Sequence, residues 1–249
     1  MKALGIGLAF ASLALLWPRD AAAADYFPFG LDPAVDSSLA VGGLALYGSG
    51  LYFQSIKPAP RVTDLDPSDV PIFDRLYPVT PSPALTTGGD WLSIGMAALP
   101  LALAYGRNGR EMLDLGLMYA ESLELAYGLD SLLKATVVRY RPYAYSTTVP
   151  ADFSAPAIAA SFPSANTSLA FAAASFSAYV FGELHPDSPL RPWVWVGGFG
   201  LATAVSALLV AGGDHFVTDA VAGAVIGAAS GILAPLLHER FRGRGGARE

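Results

Sequence analysis

Residues 215–238 run HFVTDAVAGAVIGAASGILAPLLH, and this stretch decides the fold. Ala220 to Leu237 is 18 residues without a charge, close to the roughly 20 apolar residues that a bilayer-spanning helix needs. Gly223, Gly227 and Gly231 recur every fourth position, so one helix face is small enough for a second backbone to approach closely. Just upstream, His215 and Asp219 are four apart, a spacing that lets a carboxylate hold one imidazole nitrogen.

The pattern repeats outward from there. Pro192–Gly213 and Ser164–Gly182 are uncharged runs of 22 and 19 residues, and Trp91–Gly106 is another of 16, interrupted by Pro100. Glu111–Leu133 is helical in pattern but carries Glu111, Asp114, Glu121, Glu124 and Asp130. A carboxylate at the bilayer centre costs about 2.5–3.5 kcal/mol. At 100° per residue, Asp114, Glu121 and Glu124 fall on one face about 80° wide, so they can point into a bundle. These segments predict an all-α membrane helix bundle of about five core helices over residues 90–238.

Composition agrees. Of 249 residues, 53% are hydrophobic and 14% charged, against about a quarter charged in ordinary soluble domains. A net charge of −6 argues against nucleic acid as a partner. The absence of Cys excludes disulfides, a thiolate nucleophile and Cys-ligated metal centres. Lys2, the apolar run Ala3–Trp17 and the small residues Ala22 to Ala24 predict a signal peptide over 1–24, or an uncleaved first helix. Residues 25–89, rich in Pro and Asp, predict an exported region that is mostly loop. Its apolar segment 41–55 is short for a span, so it is expected at the interface, re-entrant or packed on the bundle.

The tail 239–249, with Arg240, Arg242, Arg244 and Arg248, is expected in the cytoplasm. Counting crossings back from it puts Arg107 and Arg110 on the same side. Lys134 to Arg141, Ser164 and His215 fall on the other side. The expectation is a multi-pass protein of a bacterial-type inner (plasma) membrane, with its chemistry on the extracytoplasmic face. His238, at the end of the last run, reads as a histidine suited to a helix C-terminus.

Lys134 and Arg141 are seven apart, two helical turns, and Pro142 stops that helix. Ser164-Ala165-Asn166 opens a helix after Pro163, and free N–H groups at a helix start attract anions. Two cations, a helix N-terminus and an oriented imidazole make a phosphate pocket with a nucleophile.

At these residues the chain resembles the type 2 phosphatidic acid phosphatase and vanadium haloperoxidase superfamily, whose signature has three blocks: K-x6-R-P, P-S-G-H and S-R-x5-H-x3-D. The first is complete here from Lys134 to Arg141-Pro142. The second stands as Pro163-Ser164-Ala165-Asn166, and the third as Leu208-Leu209, five residues, His215, three residues, Asp219. The resemblance implies that Lys134, Arg141, Ser164 and Ala165 bind phosphate, that His215 attacks phosphorus, and that Asp219 orients it. It implies a lipid or polyprenyl phosphate or diphosphate as substrate, with no metal and no cofactor.

Two positions depart from the signature. Asn166 stands where the family's proton-donating histidine is, and Leu209 where its second phosphate-binding arginine is. Asn delivers no proton at neutral pH, and losing general acid help costs about 10²–10⁴ in rate. The missing histidine also disfavours a haloperoxidase. The sequence therefore predicts a phosphohydrolase of reduced activity, best on diphosphates, whose leaving phosphate needs little protonation. The rival expectation is an inactive relative serving as a binding or structural membrane protein.

Overall fold

The structure is a computed structural model and describes residues 27–57, 65–76, 78, 80–146 and 157–245. The expected signal segment 1–24 and the last residues of the basic tail lie outside these. Six α-helices carry the described fold: α1 (Pro33–Ile56), α2 (Pro83–Ala97), α3 (Gly109–Thr136), α4 (Ala165–Leu184), α5 (Arg191–Ala211) and α6 (Val217–Gly245). The architecture is all-α, and no strand occurs among the described residues.

Helix α4 is the axis, and nearly all of its side chains are buried. The run Ala172-Ala173-Ala174-Ser175 explains how: short side chains let several helices pack against one backbone. Helix α6 lies parallel to α4 along the Gly223, Gly227 and Gly231 ridge. A Cβ on Gly227 would stand 2.1 Å from the Ser168 carbonyl oxygen, and one on Gly223 2.4 Å from that of Ser164. Polar contacts join the apolar ones: Ser168 Oγ donates to Asp130 Oδ1 on α3 at 3.0 Å, and Ser206 Oγ on α5 to Thr167 Oγ1 at 3.3 Å.

The acidic face of α3 turns inward as its spacing predicts. Asp114, Glu121 and Asp130 are buried, and Glu124 lies against Gly43 of α1.

Two sequence expectations need correction. Residues 33–40 are helical rather than loop, because Asp32 caps the N–H groups of Ala34 and Val35 and Pro33 opens the helix. The resulting α1 is 24 residues, about 36 Å long. It runs parallel to α3, with Gly43 against Glu124, Gly50 against Ser131, and Lys57 Nζ donating to the Lys134 carbonyl at 2.8 Å. The run Trp91–Gly106 is not one helix. Helix α2 starts earlier, at Pro83, and ends at Ala97, and Leu99–Ala104 tightens into a 3₁₀ segment around Pro100. Among the described residues, Arg191–Ala211 and Val217–Glu239 are the helical stretches long and apolar enough by themselves to cross a membrane. Helix α4 is sheathed by the other helices.

Successive helices alternate in direction. The ends of α1, α3 and α5 and the starts of α2, α4 and α6 gather at one end of the bundle. Phe27 and Phe29 pack with Leu184 and Val180 at the other end. There His238 is fully buried and bridges helices: Nδ1 lies 2.8 Å from the Ala234 carbonyl and Nε2 2.7 Å from Asp36 Oδ1 of α1. It is a packing residue, not a solvated helix end. Large apolar side chains stay exposed on the flanks, among them Val41 and Leu44 on α1, Trp193 and Val196 on α5, and Val221 and Val225 on α6. Such a belt suits a lipid surroundings, and with the two apolar helices it marks a membrane protein.

Candidate active site

The loop Gly212–Phe216, between α5 and α6, forms the floor of a cup at the first end. Gly213 turns the chain at φ +80°, where a side chain would be strained. Its carbonyl accepts from the Tyr143 N–H at 3.1 Å, which ties the loop to the segment after α3.

His215 is almost fully buried. Its Nε2 lies 3.4 Å from Arg141 Nη1 and 3.3 Å from Asp214 Oδ2. Its Nδ1 lies 3.6 Å from Asp219 Oδ2, beyond hydrogen-bond length, and has no hydrogen-bond partner. With a proton on Nδ1 toward Asp219, the Nε2 lone pair would face the cup; such bonds often tighten only with substrate bound. Burial, then the Arg141 charge, holds the ring below the usual histidine range, so it is neutral near pH 7.

Asp219 is held from three sides. Arg139 Nη1 donates to its Oδ1 at 2.6 Å, while Ser161 Oγ at 2.5 Å and the Phe216 N–H at 2.9 Å donate to its Oδ2. Arg139 also pairs with Asp74 and stacks on the Phe216 ring, 4.6 Å from its centroid. Asp74 in turn accepts from the Thr218 N–H at 3.0 Å and so caps the start of α6. Sequence reading missed the roles of Asp74, Arg139 and Ser161. Arg139 stood only as part of a basic cluster, and nothing local distinguishes Asp74 from Asp64, Asp66 and Asp69.

Arg141 donates through Nε to the Ala157 carbonyl at 3.0 Å and through Nη1 to the Asp214 carbonyl at 3.2 Å. The same Nη1 pairs with Asp214 Oδ2. One carboxylate oxygen thus sits between the guanidinium and the His215 ring. Burial alone would push the Asp214 carboxyl up, but the neighbouring His215 ring and Arg141 guanidinium hold it below the usual carboxylate range, so it stays anionic.

Lys134 is drawn to the loop before α4, where Nζ donates to the carbonyls of Ala160, at 3.0 Å, and Pro163. Burial, then Arg141, lowers its ammonium below the usual lysine range. Ser164 is fully buried and caps α4 through the Thr167 N–H at 3.4 Å. The N–H groups of Ala165 and Asn166 are left at the helix mouth.

The structure therefore gathers Lys134, Arg141, Ser164, Ala165, Asn166, His215 and Asp219 at one end. Leu209 is not among them. It is fully buried, packed with Met96, Ala170 and Val205 under α2. A Cβ on Gly89 would stand 2.9 Å from its Cδ2. The neighbour of Gly89, Asp90, reaches the cup's edge, where its Oδ1 accepts from Asn166 Nδ2 at 2.5 Å.

As to metals, the ligand atoms of Asp36, Glu121 and His238 lie within 4.8 Å of one another at the far end. Both His238 ring nitrogens already lie within hydrogen-bond distance of protein oxygens, the Ala234 carbonyl and Asp36 Oδ1. The cluster joins α1, α3 and α6 through polar side chains.

No curated protein and no solved structure matches the chain. The sequence profile of the PAP2 superfamily matches residues 115–242, from α3 through nearly all of α6 and so over every helix that builds the cup except α2. The chain belongs to the PAP2 superfamily.

Proposed function

We propose that the protein is a lipid phosphate or diphosphate phosphohydrolase that works through a phosphohistidine at His215. The observation that carries this is the meeting of Arg141 Nη1 and His215 Nε2 at 3.4 Å beside the mouth of α4. Phosphoryl oxygens would bind Arg141, Lys134 and the N–H groups of Ala165 and Asn166. The His215 Nε2 lone pair then faces phosphorus, and Asp219 stabilises the charge that develops on the ring. Family membership supports phosphatase chemistry in general. The apolar flanks support a lipid as the source of the phosphate.

The departures lower the rate. Leu209 contributes no charge, and Asp214 holds the place that an incoming phosphoryl oxygen needs. Diphosphates are favoured over alkyl monophosphates because they expel phosphate rather than an alkoxide. The burial of Leu209 supports a second reading, a relative that binds phosphate without turning it over.

We place the cup on the extracytoplasmic face of a multi-pass protein. That placement conflicts with export of the whole 25–89 region. In a spanning bundle, Phe27 and Asp36 lie at the end opposite the cup, hence at the cytoplasmic end.

The test is phosphate release in detergent micelles from a polyprenyl diphosphate and an alkyl monophosphate, by the wild type and by His215→Ala. Release by the wild type alone, faster on the diphosphate, is expected. Equal background release by both proteins contradicts hydrolysis, and equal or better rates on the monophosphate contradict the preference.

A further inference from the structure

The family's proton donor is missing at position 166, yet the structure puts a carboxyl group against that position. Asp90 is half-buried at the cup's edge, and Asn166 Nδ2 donates to its Oδ1 at 2.5 Å. The approach is built in. Ser82 N–H donates to the Gly212 carbonyl at 2.9 Å, which pins the start of α2 to the floor loop. A Cβ on Gly89 would run into Leu209, so glycine lets α2 press down and sets Asp90 over the first turn of α4.

We propose that Asp90 is the general acid of this enzyme, held at the leaving-group side of the cup by Asn166. The inference rests on the phosphohydrolase reading above. In the first step the His215 Nε2 lone pair forms a bond to phosphorus. The bond from phosphorus to the leaving oxygen breaks with its electron pair, and that oxygen takes the proton from Asp90 Oδ2. The products are the phosphohistidine, the free alcohol or phosphate, and the Asp90 carboxylate. In the second step water attacks phosphorus, Asp90 takes back a proton from it, and the P–N electron pair returns to His215. Inorganic phosphate leaves and the starting state is restored.

The hydrogen bond suits this role. An Asn N–H given to Oδ1 marks that oxygen as the acceptor and leaves Oδ2 to carry the proton. The charged groups that act on Asp90 are Asp214 from the floor loop and Arg141 from the segment after α3. Burial, then Asp214, raises the carboxyl above the usual aspartate range, against the opposing pull of Arg141 and Asn166. A proton is therefore held to higher pH than on a solvated aspartate.

The experiment compares p-nitrophenyl phosphate, whose leaving group needs little protonation, with phenyl phosphate, whose leaving group needs more. Asp90→Asn is expected to lower kcat/KM on phenyl phosphate at least tenfold more than on p-nitrophenyl phosphate. Because this is a ratio within one preparation, the fraction of folded protein cancels. Adding Asn166→His to Asp90→Asn is expected to restore phenyl phosphate hydrolysis. Equal losses on the two substrates, or no recovery with histidine at 166, overturn the role of Asp90 while leaving the phosphohydrolase reading standing. If wild type and His215→Ala release phosphate alike from both substrates, the phosphohydrolase reading fails and the acid role falls with it.

Discussion

Asp214 Oδ2 lies 3.3 Å from His215 Nε2 and pairs at the same time with Arg141. A carboxylate oxygen held between a guanidinium and an imidazole stands where a phosphoryl oxygen would bind, so the site carries its own competitor. Two unit charges 4 Å apart interact by about 4 kcal/mol at an effective dielectric constant of about 20. Removing that charge should strengthen anion binding. Asp214→Asn is expected to bind inorganic phosphate at least about tenfold more tightly, an effect of about 1.4 kcal/mol, measured by calorimetric titration. Unchanged or weaker binding would show that Asp214 supports the pocket rather than competing for it.

The pH profile follows from two shifted groups. His215 must be neutral to attack, and its value is lowered, so the rising limb lies below the usual histidine range. Asp90 must be protonated to donate, and its value is raised, so activity falls as pH climbs through that raised value. Phenyl phosphate hydrolysis should therefore rise at a pH below the usual histidine range and fall at a pH above the usual aspartate range. Dividing the wild-type profile by that of Asp90→Asn removes the substrate's own titration. The quotient should fall with rising pH, and a flat quotient would remove Asp90 from the chemistry.

Leu209 makes one restoration unproductive. It is packed on all sides, with Gly89 of α2 against it. Leu209→Arg buries a charge in that core, and an unpaired buried charge costs several kcal/mol. The variant is expected to melt well below the wild type and to regain no activity. A variant as stable as the wild type would mean that α2 can lift away from α5.

Two glycines should respond with opposite sign. A Cβ on Gly227 would stand 2.1 Å from the Ser168 carbonyl oxygen, whereas Gly48 on α1 has nothing within 4 Å. Gly227→Ala is expected to destabilise by about 1–3 kcal/mol through overpacking. Gly48→Ala should be neutral or stabilise by up to about 1 kcal/mol, since alanine is the better helix former. Thermal unfolding in one detergent decides, and equal shifts would contradict the close packing of α4 on α6.

The chain has no Cys, so single cysteines report topology cleanly. Ile72, 77% exposed, adjoins Asp74 beside the cup. Asp187 is exposed in the turn after α4, at the other end. Ile72→Cys and Asp187→Cys should react with an impermeant thiol reagent from opposite sides of the membrane, Ile72→Cys from the extracytoplasmic side. Labelling of both from one side would mean that the bundle does not span.

Much of this arrangement was legible in the sequence, because some signals are local. The glycine ridge of α6 and the inward carboxylates of α3 follow from helical spacing alone. The nearness of Arg141 to His215 was readable from three ordered blocks with helices between them. What escaped was tertiary. Asp74 caps a helix 144 positions along the chain and Arg139 reaches Asp219 across 80, and neither pairing leaves a periodic trace. Helix α1 was underestimated because its first turns are polar residues set by a cap rather than by hydrophobicity. Asp90 stands in the sequence only as the first residue of the predicted bundle, and its position beside Asn166 depends on how α2 seats against Leu209.

The most direct measurement is to trap the covalent intermediate. The wild type is mixed with a polyprenyl diphosphate labelled with ³²P in its terminal phosphate, quenched in alkali on the millisecond scale and digested for peptide mapping. We expect an alkali-stable, acid-labile label on the peptide that contains His215, and none on the His215→Ala protein. Phosphate release with no label at His215, or at a rate that His215→Ala matches, would contradict the account.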